Sequence, residues 1–184
     1  MTPSQRSHTN ATRTYGLAIP ALVFALAILT ILGITRSHSS TPLPVADTIV
    51  VIKHAHTLTL FRNGRAITQY TVALGRGGLG PKENAGDNKV PEGNYRIVGR
   101  NSHSAYYRAL HVGYPTPSQI AAARAHGVDP GGDIMIHGIR NGLGWLGPAH
   151  RLIDWTKGCI AITDSEMDQI WTAVPDGTPI EIRL

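Results

Sequence analysis

The chain carries one cysteine, Cys159, in the stretch Asp154–Asp164, DWTKGCIAITD, and His137 stands 22 positions earlier at the end of an apolar run, DIMIHG. A thiol attacks as the thiolate. It therefore needs a base to take its proton and hydrogen-bond donors to hold the oxyanion that forms at a carbonyl. His137 is the candidate base. Gly138 follows it and offers a backbone carbonyl that can fix the imidazole tautomer without a carboxylate. The N–H groups of Gly158 and Cys159 are candidate oxyanion donors, and Gly158 lets a substrate carbonyl approach the backbone closely. A single cysteine excludes an internal disulfide. A lone cysteine also suits a small buried hydrophobe, and a lone histidine a structural role; spacing alone leaves both readings open.

Short strands with two short helices must position these groups. DTIVVI (47–52) and LTLF (58–61) are β-rich, and Asn63-Gly64 in RNGR suits a type I′ hairpin turn before the return strand AITQYTVAL. Gly75–Gly93 is too rich in Gly and Pro for regular structure, and no P-loop Lys-Ser/Thr and helix follow it, which excludes a nucleotide loop. NYRIV, ALHVGY, DIMIHG and CIAIT read as further strands, with a Gly-rich loop between the last two. Ser118 can cap a helix over QIAAARAH that Gly127 ends, and Thr163 with Glu166 forms a capping box for DSEMDQIWTAV. TPIEIRL closes a mainly β domain with α decoration.

The domain begins near Asp47, and four segments are expected: a tail over 1–14, an apolar span over 15–35, a linker over 36–46 and the domain over 47–184. Between Arg13 and Arg36 lie 22 uncharged residues, enough for a helix about 30 Å long, the thickness of a bilayer core. Arg6, Arg13 and the α-amino group precede the span, so the positive-inside bias places the N-terminus in the cytoplasm. The rest would then lie outside the inner membrane, in the periplasm. Pro44 spoils the small-x-small pattern of a cleavage site, which favours an anchor over a cleaved signal. The domain itself holds 14 Lys+Arg against 12 Asp+Glu, and no basic stripe interleaved with aromatics argues for nucleic acid.

Other residues have competing readings. Arg140, Asn141 and Trp145 suit either a cleft wall or a solvated loop. Tyr106 and Tyr107 suit core packing better than a cleft. His54 and His56 share a strand face but lack an obvious third metal ligand. Asp164, Glu166 and Asp168 fall in the first turn of a helix, where acids favour the dipole end.

The paired motifs IMIHG and TKGC resemble the YkuD-type L,D-transpeptidase catalytic domain, whose signature is His-Gly followed by Ser/Thr-x-Gly-Cys. The similarity runs from about Asp47 to Leu184 and takes in LTLFRNGRAITQYTVALG, VPEGNYRI and ALHVGYP. It implies a β-sandwich or barrel-like domain with short helices. It further implies Cys159 as nucleophile, His137 as base, Gly138 as its orienter, and Gly158 with Cys159 as oxyanion donors. Thr156 matches the motif's Ser/Thr and joins Arg140 and Trp145 as expected substrate contacts. The implied partner is a peptidoglycan stem peptide, cleaved between a diamino acid at the third position and D-Ala at the fourth. A thioester forms and is resolved by an amine, or by water in a hydrolytic variant; a third reading is a non-catalytic wall-binding domain. No cofactor is implied. Lys157, Ala161 and Val90 depart from the common pattern (His, Arg or Asn, and Thr), which marks a divergent subgroup. An unpaired cysteine outside the cytoplasm fits a nucleophile, since a second one could lock it in a disulfide.

Overall fold

The computed structural model describes residues 42–184; the expected tail, the apolar span and the start of the linker lie outside the described residues. Among the described residues no helix is long and apolar enough to cross a membrane.

Strands β1 (Thr48–Ile52), β2 (Thr57–Arg62) and β3 (Arg65–Thr71) form an antiparallel meander. Its second turn uses Asn63 and Gly64, both in the left-handed region at φ 52° and 72°, as the type I′ hairpin requires. β1 also pairs in parallel with the last strand, β8 (Pro179–Arg183). The alternation of β1 buries Ile49 and Val51, whose register partners Ile180 and Ile182 are buried as well. Beyond β8 come β4 (Gly93–Ser104), β5 (Tyr107–Val112), β6 (Met135–His137) and β7 (Ile160–Ala161), giving the order β3-β2-β1-β8-β4-β5-β6-β7.

β4 is the hinge of this sheet. Its first residues pair with β8 and the remainder with β5, through two register shifts, between Ile97 and Gly99 and between Asn101 and Ser104. Such bulges bend a strand and increase its twist. Past β3 the chain reaches the opposite edge of the sheet. Ala73 exchanges two backbone hydrogen bonds of 2.9 Å with Ala161, and Gly75 bridges to Thr156. The expected sandwich or barrel is thus one mixed eight-stranded sheet whose strand order is closed by two isolated bridges. That closure brings the Gly-rich segment after β3 against the segment that carries Cys159.

Helix α1 (Pro117–Ala125) is capped by Thr116, not by Ser118. Thr116 and Gln119 form a reciprocal capping box with Pro117 at the first helical position, where its missing N–H costs nothing. Helix α2 (Asp164–Ala173) has the expected Thr163/Glu166 box and buries Met167, Ile170 and Ala173 in the core. The loop between His137 and Cys159, expected to be irregular, holds 3-10 turns over Gly144–Leu152, broken at Gly147.

Candidate active site

His137 ends β6, paired in register with Ala109 of β5 on one side and Ala161 of β7 on the other. It is 4% exposed. Its Nδ1 lies 2.6 Å from the Gly138 carbonyl oxygen. A carbonyl only accepts, so Nδ1 carries the proton and Nε2 of the neutral ring is left as the acceptor. Burial holds the imidazole pKa below its ordinary value, and the Gly138 carbonyl opposes this only in part. Tyr106 stacks at 4.7 Å between ring centroids and Trp155 meets the ring edge-on at 5.7 Å, so two aromatics hold the imidazole.

Cys159 is half-buried just before β7 and lines, with His137, a cleft of about 350 Å³. Its S–H is directed to the Asp133 carbonyl at 3.7 Å rather than to the imidazole. Burial pushes the thiol up to about 11; the Met135 N–H pulls it down and the Asp133 carboxylate adds to the rise. The resting pair is therefore a neutral thiol and a neutral imidazole, not an ion pair.

The turn before Cys159 is held by Thr156. Its hydroxyl donates to the Cys159 carbonyl at 2.7 Å and accepts the Gly158 N–H at 3.2 Å. The residue is 3% exposed, so a hydroxyl expected to touch substrate is committed inside the loop. Gly158 differs from expectation for the same reason, because its N–H is already engaged. Its glycine identity has another cause: φ is +120°, and a Cβ would sit 2.9 Å from the Lys89 carbonyl oxygen. The Cys159 N–H has no acceptor among the described residues.

The remaining expectations divide. Arg140 lines an apolar pocket of about 390 Å³ beside the cleft, sharing Tyr106 and Trp155 with it. Trp145 is 79% exposed and lines neither; the tryptophan of the site is Trp155. Tyr107 donates from its hydroxyl to Asp168, away from the cleft. His56 bonds Asp154 at 3.0 Å, and among the described residues no group of three or more His, Cys, Asp or Glu is placed to hold a metal. The acids of α2 do more than favour its dipole. Asp164 accepts the Ile139 N–H at 2.8 Å, tying the chain just past His137-Gly138 to the helix start, and Glu166 pairs with Arg151.

The family model of the L,D-transpeptidase catalytic domain, YkuD, matches residues 46–182, spanning both the His-Gly and the Thr-x-Gly-Cys segments. The chain belongs to this family. YafK of Escherichia coli (strain K12), whose name assigns it to the L,D-transpeptidases, is 32% identical over 176 residues; the match covers 86% of this chain and 60% of YafK. The chain thus spans about 60% of the length of that curated relative. Among solved structures, the helical cell shape determining protein Pgp2 from Campylobacter jejuni aligns with a TM-score of 0.57 at 21% identity, covering 77% of this chain and 50% of that one. Bd1075 of Bdellovibrio bacteriovorus aligns at 0.53 and 24% identity, over 77% and 51%. Both likenesses concern the fold.

Within the family, the departures now have places. Ala161 is fully buried and spends its backbone on Ala73, and Val90 packs in the core. Lys157 is exposed and lines the cleft. Sequence reasoning missed Trp155, Arg76 and Asp133 as cleft residues. Trp155 sits two positions after Ile153 in the same stretch as Cys159, but nothing in its spacing distinguishes it from Trp145. Arg76 lies some eighty positions before the cysteine and reaches it only through the Gly75–Thr156 bridge.

Proposed function

We propose that the protein is a peptidoglycan L,D-transpeptidase in which Cys159 is the nucleophile and His137 the general base. The observation that carries this reading is the His137 tautomer: Nδ1–H is spent on the Gly138 carbonyl, so Nε2 is a free base in a cleft shared with the family's cysteine. The thiol leaves the Asp133 carbonyl, passes its proton to Nε2, and attacks the carbonyl between the diamino acid and D-Ala of a stem tetrapeptide. The Cys159 N–H, unengaged in the resting structure, holds the oxyanion. As the tetrahedral intermediate collapses, the C–N bond breaks, and the imidazolium returns its proton to the departing D-Ala amine. An acceptor amine then attacks the thioester, His137 takes its proton, and the thiol is restored.

Neutral partners at rest suit this order, since the proton moves only with substrate in place. An aromatic-flanked, buried imidazole stays unprotonated at neutral pH, the state a base needs. The apolar span over 15–35 supports a single-pass anchor that places the domain beside the wall on the periplasmic side. The test is mass spectrometry of the full chain incubated with a defined tetrapeptide donor, with and without an amine acceptor. The expected result is a thioester adduct on Cys159 and an acceptor-linked product. Water-only product moves the assignment to hydrolysis, and turnover unchanged by Cys159→Ala removes the enzymatic reading.

A further inference from the structure

The cleft beside Cys159 is lined by two cations, Arg76 and Lys157, and by one acid, Asp133. Both cations are exposed, and neither forms a salt bridge to a carboxylate among the described residues. The Asp133 carboxylate is turned to His111, 3.4 Å from its Nδ1. Elsewhere on the domain Lys53, Lys82, Arg100, Arg108, Arg151 and Arg183 are paired with acids, while other surface cations among the described residues are not. Of the unpaired ones, Arg76 and Lys157 are those that line the cleft. Two unpaired cations in one concave site form an electrostatic feature that a partner of opposite charge would complete.

Their placement is built into the backbone. Thr156 N–H donates to the Leu74 carbonyl at 3.1 Å, and Arg76 N–H donates to the Thr156 carbonyl at 3.0 Å. Thr156 is therefore flanked by Arg76 across the ladder and by Lys157 along the chain, two residues from the nucleophile. The approach of the two segments is close: a Cβ on Gly75 would stand 3.1 Å from Gly158 Cα and overlap the Asn88 carbonyl. Both cations thus ride on the rigid frame that fixes the Cys159 turn, and both residues are exposed and line the cleft.

We propose that Arg76 and Lys157 form an anion subsite that holds a carboxylate of the donor peptide while its neighbouring amide meets Cys159. The inference rests on the donor being a stem peptide, and it adds the charge that the donor must carry. A peptide of this kind offers carboxylates from two sources, the C-terminal one on the leaving D-amino acid and one on the diamino residue's side chain. Arg supplies a planar fork for bidentate contact and Lys a mobile point charge, so the pair recognises a carboxylate better than a neutral carboxamide.

The test is equilibrium binding to the full chain carrying Cys159→Ala, which cannot acylate. Three tetrapeptides are compared: one with both carboxylates free, one amidated at the C-terminus and one amidated on the diamino side chain. One of the amides is expected to bind about tenfold more weakly than the free peptide, and which one identifies the source. That preference should vanish when Arg76→Gln and Lys157→Gln are added, survive in part with Arg76→Lys, and shrink as salt rises from 50 to 200 mM. Circular dichroism of the added variants checks that these exposed substitutions leave the fold intact. Equal binding of all three peptides overturns the subsite, as does a preference that persists in the double glutamine variant or no binding of the free peptide at millimolar concentration. Failure of the catalytic reading looks different: the Cys159-bearing protein forms no thioester while the carboxylate preference of the Cys159→Ala protein persists.

Discussion

The neutral resting pair makes a quantitative claim about Cys159. An ordinary thiol with a pKa of 9.0 is about one-tenth thiolate at pH 8; one pushed up to about 11 is thiolate in about one molecule per thousand. Alkylation by iodoacetamide follows the thiolate population, so at pH 8 Cys159 should react about a hundredfold more slowly than a free cysteine peptide. Its logarithmic rate should rise with unit slope from pH 7 to pH 10 without a plateau. His137→Gln should leave that slope and rate within about threefold, because the S–H is held by the Asp133 carbonyl and no imidazolium stabilises a resting thiolate. The same substitution should lower acylation by a donor peptide about 10²–10⁴-fold, the range for loss of a general base. The assay is stopped-time mass spectrometry of the singly labelled chain across a pH series, with acylation read in parallel. A plateau with an apparent pKa between 6 and 8, or a tenfold fall in alkylation on His137→Gln, would refute the neutral pair and show a preformed thiolate–imidazolium.

Thr156→Val removes the hydroxyl that bonds both the Cys159 carbonyl and the Gly158 N–H, and should cost about 1–3 kcal/mol in denaturant unfolding; Thr156→Ser should restore most of it. Gly158→Ala sets a Cβ against the Lys89 carbonyl at a left-handed φ, and a fall in melting temperature of several degrees is expected by calorimetry. Lys53 is completely buried, with its Nζ on Glu92 at 2.8 Å and on the Gly80 carbonyl at 3.0 Å. Lys53→Ala should therefore destabilise by about 3–5 kcal/mol, and Lys53→Met by clearly less. Acylation should fall as pH drops through the His137 pKa, whose burial sets it below the ordinary 6.5; an acid limb centred above that value contradicts the buried neutral base.

The strands with clean alternation, the Asn63-Gly64 turn and the α2 capping box were legible because each depends on contacts within a few residues. Thr116 and Ser118 satisfy the same local capping rule two positions apart, and Gln119 decides between them by completing the box only with Thr116. The 3-10 turns over Gly144–Leu152 are not legible locally because Gly and Pro there read as loop, while it is the buried His150, edge-on to Trp155 at 6.3 Å, that ties the segment to the site. The choice of Trp155 over Trp145 could not be made from the sequence, since which indole meets His137 depends on how that loop folds back.

By itself the sequence determined the chemistry available: a single thiol, a histidine followed by glycine, and a Thr-x-Gly-Cys turn, with the order and local form of most strands. These are properties of residue type and short-range geometry. The tertiary structure decided how they are used. Closing the sheet through Ala73–Ala161 and Gly75–Thr156 set Arg76 beside the Cys159 turn, and burial between β5 and β7 kept His137 neutral. It also spent the Thr156 hydroxyl and the Gly158 N–H on each other. Charge state, engaged donors and cleft membership depend on what long-range packing removes from water, and no local pattern of residues encodes that.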